Sequence, residues 1–232
     1  MIVYDNVDIR SIADVKIEDI RVGPVEINPV TRARAIAPGA EFVRTRYGTR
    51  TVSVTFAVLT DNTEARQAQI GAISEWAKSD KEYRLQLPGF PDRYVMAMCT
   101  AKPEPSTRQW WETKLRLVFT CISDPFWISA QEKSAACGTA FRVLGDAPPL
   151  MQIKRTLSAA ATNQAYSLDG RTMTFSTIPK GNMVIDLNNQ TARVGTASII
   201  QYYNINSQFL QPRTGQMTIS GTGTVVYRER WQ

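Results

Sequence analysis

Apolar and polar residues alternate with period two along Arg50-Thr51-Val52-Ser53-Val54-Thr55-Phe56-Ala57-Val58. Val52, Val54, Phe56 and Val58 fall on one side; Thr51, Ser53 and Thr55 fall on the other. Successive side chains of a strand point to opposite faces, so this segment predicts a half-buried β-strand. The period then changes. Asp61 or Asn62 can cap a helix, and Glu64 suits the positively polarised first turn. Ile70, Ile73, Trp76 and Ala77 recur at helical spacing, which predicts a helix ending near Ser79-Asp80 with Trp76 on its core-facing stripe. Strand patterns return at 83–87, 92–100 and 110–122. They are divided by Pro88-Gly89-Phe90-Pro91 and by an expected turn at Pro103, Pro105 and Ser106.

Upstream, short alternating pieces at 7–10 and 15–18 predict strands, with turn signals at Gly23-Pro24 and Asn28-Pro29. Residues 30–48 carry Pro38-Gly39 and several arginines and read as an exposed arm or long loop. A loop of that length in a compact domain is usually functional or interfacial. Downstream, residues 129–138 are Ala- and Ser-rich and read as a linker. Beyond Thr139 the pattern is one of short strands, at 140–144, 151–157, 172–177, 183–187, 191–194, 198–201, 216–220 and 224–230. Asp169-Gly170, Lys180-Gly181-Asn182 and Asn188-Asn189 supply turn chemistry between them. Eight short strands without helices predict a β-sandwich or barrel. The chain is therefore read as mainly β, with domains at 1–130 and 131–232.

Composition narrows the function. Of 232 residues, 43% are hydrophobic, enough for a real core. No apolar run approaches the ~20 residues of a membrane-spanning helix, so no membrane insertion is expected. Met1-Ile2-Val3-Tyr4-Asp5-Asn6 has neither a basic nor an apolar leader region, so no Sec signal peptide is expected. Histidine is absent, which removes Ser-His-Asp triads, Cys-His pairs and His metal ligands. Cys99, Cys121 and Cys137 are widely spaced, without a metal-binding pattern. Cys99 and Cys121 lie in apolar runs and read as small buried hydrophobes, with a disulfide left open. No clustered carboxylates form a recognisable catalytic motif, so neither a catalytic residue, a metal site nor a cofactor is expected.

The net charge of +6 is unevenly placed, with 17 basic and 16 acidic side chains in 1–130 against 10 and 5 in 131–232. It is spread out, unlike the aromatic-interleaved basic stripe of a nucleic-acid site. The densest group is Arg32, Arg34, Arg44, Arg46 and Arg50, opposed by Glu41, and it reads as a solvated or subunit-facing loop. Trp110-Trp111 reads equally as a surface contact or as hairpin-tip packing.

In order, these landmarks resemble the distal tail proteins of long-tailed, non-contractile bacteriophages. The alternating Arg50–Leu59 strand is followed by Asp61-Asn62 and a helix with Trp76. Leu85-Gln86-Leu87-Pro88-Gly89-Phe90-Pro91-Asp92-Arg93-Tyr94 is similar to the family's strand, turn and strand. Phe119-Thr120-Cys121 leads to Asp124-Pro125-Phe126, similar to its closing motif. Leu168-Asp169-Gly170, Gly181-Asn182, Val184-Ile185-Asp186, Phe209-Leu210 with Pro212, Thr218-Ile219-Ser220-Gly221 and Tyr227-Arg228-Glu229-Arg230-Trp231 continue the likeness. The family's Pro-Gly-x-Asn is replaced by Pro212-Arg213-Thr214-Gly215-Gln216, and the first forty-odd residues match least.

The resemblance implies an N-terminal split β-barrel with one α-helix and a C-terminal galectin-like β-sandwich. It implies a homo-hexameric ring joining the tail tube protein to a tail-tip or fibre protein, with DNA passing through the lumen. The place would be the virion tail, assembled in the host cytoplasm. A ring needs one face to complement a different face. The expected interface residues are Arg44, Arg46 and Arg50 on the arm and Thr51, Ser53 and Thr55 on the strand. That strand and the 92–122 hairpin are candidates for sheet continuation between subunits. The competing reading is a carbohydrate-binding module using Tyr202-Tyr203-Asn204 and Trp231. A hydrolase using Asp169 and Asp186 is the weakest, since both sit where Asp is commonly structural.

Overall fold

The computed structural model describes residues 1–33, 40–60, 62–101, 103–109 and 112–232. The protein is mainly β with one α-helix and separates into two compact units, Met1–Trp127 with Gln232 and Ile128–Trp231.

Unit 1 begins with the short strands β1 (Val3–Tyr4) and β2 (Val7–Asp8), then β3 (Val15–Val22), β4 (Ile27–Ala33), β5 (Ala40–Tyr47) and β6 (Arg50–Leu59). Helix α1 (Thr63–Ala77) follows, then β7 (Tyr83–Gln86), β8 (Arg93–Cys99), β9 (Glu104–Gln109) and β10 (Glu112–Cys121); β11 (Trp127–Ser129) begins at the last residue of the Met1–Trp127 run and continues into unit 2. β6 lies between β3 and β10, antiparallel to both, and pairs with β10 in unbroken register from Arg50↔Cys121 to Leu59↔Glu112. The period-two pattern is realised: Val52, Val54, Phe56 and Val58 are buried. Leu115, Leu117 and Phe119 of β10 are buried too, so each strand presents its apolar side to one core.

The Asn62 side chain caps α1 by accepting from the Glu64 N–H at 2.8 Å. Ile73 and Ala77 are buried. Trp76 stands edge-on to Tyr4 and Phe119 and donates its Nε1–H to the Val7 carbonyl at 3.1 Å. It is half-buried, packed on the core aromatics with its polar atom satisfied.

Three features of unit 1 differ from the sequence reading. The expected turn at Pro103, Pro105 and Ser106 gives way to strand β9, which pairs with β10 at Pro105↔Leu115 and Ser106↔Lys114. A proline is tolerated because β9 is an edge strand and owes ladder bonds on one side only. The expected loop at 30–48 is a β4–β5 hairpin. The turn expected at Asn28-Pro29 lies inside β4, with Pro29 opposite Thr45.

Unit 2 contains β12 (Lys133–Ala136), β13 (Phe141–Val143), β14 (Ala147–Leu157), β15 (Ala161–Leu168), β16 (Arg171–Ile178), β17 (Gly181–Asp186), β18 (Thr191–Val194), β19 (Ala197–Ser198), β20 (Gly215–Met217) and β21 (Thr224–Trp231). One antiparallel sheet runs β12-β21-β14-β17-β18-β19. The β15–β16 and β13–β20 ribbons cover it. Ile153, Met183, Ile185 and Val225 of the sheet share a single core with Tyr166, Met173, Phe175 and Met217 of the ribbons. This is a two-layer β-sandwich. The expected linker at 129–138 instead contains β12, paired with β21 from Lys133↔Tyr227 to Ala136↔Thr224. Glu229, 3% exposed, accepts from Lys133 Nζ at 2.9 Å and from the Leu144 N–H at 2.8 Å, so its buried charge is neutralised and hydrogen-bonded.

Candidate assembly surface

The β4–β5 hairpin is the most exposed part of unit 1. Every residue of β5 is exposed. Its cross-strand pairs are Ile27↔Tyr47, Asn28↔Arg46, Pro29↔Thr45 and Val30↔Arg44, then, after a register shift, Thr31↔Phe42 and Arg32↔Glu41. Residues opposite each other share a face, and neighbours along a strand do not. Ile27, Pro29, Thr31, Phe42, Thr45 and Tyr47 therefore make one side of the ribbon. Asn28, Val30, Arg32, Glu41, Arg44 and Arg46 make the other, and Val43 sits at the shift. One side is mostly apolar; the other is mostly polar and carries three arginines.

The apolar side is left in water, with Ile27 at 57%, Phe42 at 61% and Tyr47 at 43% exposure; Val43 at the shift is at 54%. Tyr47 has a ring partner, Phe126 at 4.9 Å in edge contact. An isolated two-stranded ribbon is marginal in water, and exposed apolar surface of this kind makes the ribbon the candidate contact surface of unit 1.

The residues singled out from sequence fall in different places. Arg44 and Arg46 are exposed on the basic side of β5. Arg50 is not a surface residue. It opens β6 at 3% exposure with its guanidinium 5.9 Å from the Trp127 ring centroid, a cation–π arrangement inside unit 1. The fold buries it because the chain turns from the arm into the central strand there. Thr51 is exposed and Ser53 and Thr55 are half-buried, facing away from the core. Both edges of β6 are already paired, so sheet continuation through it is ruled out and these three residues can meet a neighbour only through their side chains. Trp110 and Trp111 lie outside the described residues.

The arm's amphipathic character was readable in part. Ile27, Pro29 and Thr31 alternate with Asn28, Val30 and Arg32, but the shift at Val43 breaks the same alternation in β5, and the register needs both strands.

The candidates for other chemistry are occupied structurally. Asp169 accepts a two-pronged contact from Arg213, Nε at 2.5 Å and Nη2 at 3.0 Å. That contact holds its carboxyl below the usual carboxylate range. Asp186 accepts from the N–H groups of Asn188 and Asn189 at 3.0 and 2.9 Å and shapes that turn. The three cysteines are free; burial pushes the Cys121 thiol up to about 12, which makes it inert. Tyr202, Tyr203 and Asn204 line a shallow groove in unit 2. Trp231 ends β21. Among the described residues, no helix is long and apolar enough to cross a membrane.

No family model and no curated protein sequence matches the chain. Solved structures do. The crystal structure of the SPP1 Dit protein, described as a paradigm of the hub adsorption apparatus in phages infecting Gram-positive bacteria, is similar over 100% of this chain and 98% of its own. Its TM-score is 0.76 at 17% identity. Chains in the phage P2 baseplate, in its activated conformation with calcium and with strontium, cover 100% of this chain and 97% of their own. Their TM-scores are 0.48 and 0.47, at 9% and 10% identity. Over its full length, this chain has the fold of the SPP1 Dit protein.

Proposed function

We propose that this protein is a structural, non-enzymatic component of a phage tail. It forms a closed homo-hexameric ring that is the hub at the distal end of the tail, joining the tail tube protein to the tail-tip or fibre-bearing protein. DNA passes through the lumen, and the place of action is the virion tail, assembled in the host cytoplasm. One observation carries this reading: a chain with the Dit fold leaves the apolar side of its β4–β5 ribbon uncovered. Unit 1 forms the ring and the arm reaches a neighbouring copy, with Arg44 and Arg46 meeting carboxylates there and Thr51, Ser53 and Thr55 contributing side-chain contacts.

Magnitudes favour a ring over a pair. Full burial of an aliphatic or aromatic side chain contributes roughly 1.5–3 kcal/mol, so covering the exposed parts of Ile27, Phe42 and Val43 contributes roughly 3–5 kcal/mol. Association costs roughly 4–15 kcal/mol. One arm contact alone is therefore weak, and closure, in which every subunit makes two such contacts, stabilises the assembly. A lumen that passes DNA must not hold it, so DNA binding is expected to be weak and to vanish with added salt.

Light scattering and negative-stain imaging of the purified protein test this. A ring of six with a central hole is expected, and deletion of residues 32–46 is expected to convert it to monomer. A ring that survives the deletion removes the arm from the interface. A chain that stays monomeric both alone and with tail tube protein overturns the hub reading, as does nanomolar DNA binding at physiological salt.

A further inference from the structure

We infer that the groove on unit 2 between β16 and residues 201–204 is a binding site for a neutral saccharide. The groove holds about 440 Å³, the size class of a small-ligand site. β16 alternates strictly at its centre: Met173 and Phe175 enter the core, while Thr174 and Ser176 face outward. Beside them the chain returns through a short 3-10 turn, Ile200–Tyr202, and runs along β16 as an added strand, bridged at Phe175↔Tyr203.

That juxtaposition is stapled. The Asn204 N–H donates to the Thr174 carbonyl at 2.9 Å, and the Ser176 hydroxyl donates to the Tyr202 carbonyl at 3.3 Å. The Thr174 N–H donates to the Ser207 hydroxyl at 3.2 Å, and the Tyr203 hydroxyl to the Ser207 carbonyl at 2.7 Å. Beneath, Tyr203 packs against Phe175 and Phe209 at 5.8 and 4.9 Å between ring centroids. The floor is thus ordered before any ligand arrives, and less entropy is lost on binding.

The lining chemistry selects the ligand class. Tyr202 offers a half-exposed ring on which the C–H face of a pyranose can lie. Gln201 and Asn163 are exposed amides and Ser176 an exposed hydroxyl; together they supply donors and acceptors on both sides, which match a polyol that is itself donor and acceptor. Asn163 sits mid-strand at φ +50°, a left-handed conformation that Asn tolerates better than most residues. The Thr174 hydroxyl, in the same wall, is shielded from solvent and has no hydrogen-bond partner among the described residues. No Lys, Arg, Asp or Glu lines the groove, although charged residues make up 21% of the chain. A charged ligand would lose hydration there with no counter-charge to offset it.

The test is saturation-transfer NMR on the full chain with glucose, galactose, N-acetylglucosamine and their trisaccharides, with glucuronic acid as the charged control. A neutral sugar is expected to receive saturation, and Tyr202→Ala, a half-buried position that also packs on the core, is expected to weaken its binding at least tenfold in a variant that stays folded by its NMR spectrum. Gln201→Ala, an exposed position, gives a second variant if Tyr202→Ala fails to fold, and is expected to weaken binding several-fold. No transfer to any neutral sugar, stronger transfer to glucuronic acid, or unchanged affinity in the folded variants would each overturn the site. The outcome is independent of ring formation, which the same sample reports separately by light scattering.

Discussion

Among the two-stranded ribbons that stand apart from the main sheets, β15–β16 of unit 2 and β4–β5 of unit 1 meet opposite fates. In the β15–β16 ribbon, Tyr166, Leu168, Met173, Phe175 and Ile178 are buried in the sandwich core. Its two-residue turn, Asp169-Gly170, has both φ values positive, +50° and +80°, which suits the right-handed twist of a hairpin. The β4–β5 ribbon is also paired along its length, with one register shift, yet its apolar side faces water. Both are antiparallel and hydrogen-bonded, and what differs is the cover. One ribbon is covered by its own chain. The other leaves its apolar side exposed, which is what the proposed role as an assembly arm would use.

The sharpest way to break this comparison is to cut one aromatic from each ribbon. Phe175→Ala is expected to destabilise unit 2 by roughly 3–5 kcal/mol, read by urea unfolding, because it leaves a cavity in a packed core. Phe42→Ser is expected to change subunit stability by less than about 0.5 kcal/mol while lowering the ring fraction in light scattering. Equal losses of stability would mean that the arm is held by its own subunit, and the contrast would collapse.

A smaller effect probes the β15–β16 turn. Asn tolerates positive φ, so Asp169→Asn keeps the turn and removes only the charge facing Arg213. Because that carboxyl is held below its usual range, its contribution is present above the unfolded value and is lost as pH falls through the folded value. Wild type is therefore expected to melt no more than about 2 °C above the variant at neutral pH, with the gap closing in acid. A gap that widened in acid would contradict the assignment.

Much of this architecture was legible in the sequence for identifiable reasons. The alternation through Val52–Val58 and the cap at Asn62 are strong local signals. β9 was hidden by Pro105, which reads as a turn and is in fact accommodated on an edge. β12 was hidden because Lys133-Ser134-Ala135-Ala136 has too little apolar contrast to show a period. β15 carries Thr162-Asn163-Gln164, polar residues that mask a strand whose burial falls at its far end, on Tyr166 and Leu168. The arm's position was legible from its arginines. Its amphipathic character was legible only in part, because register across a hairpin is a property of two segments. Arg50 was misread for the same reason: its partner Trp127 lies far along the chain, and only folding joins them.

The outer edge of β3 has a consequence for how readily the sheet of unit 1 can be extended by a foreign strand. Among the described residues β3 pairs only with β6, so its other side offers free backbone groups. Yet it carries Lys16, Glu18, Asp19 and Arg21, and its register slips between Ile17 and Asp19. Charges and a kink of this kind frustrate indiscriminate strand addition. Edge-to-edge growth of the sheet is therefore discouraged at the place where an unguarded strand would begin it.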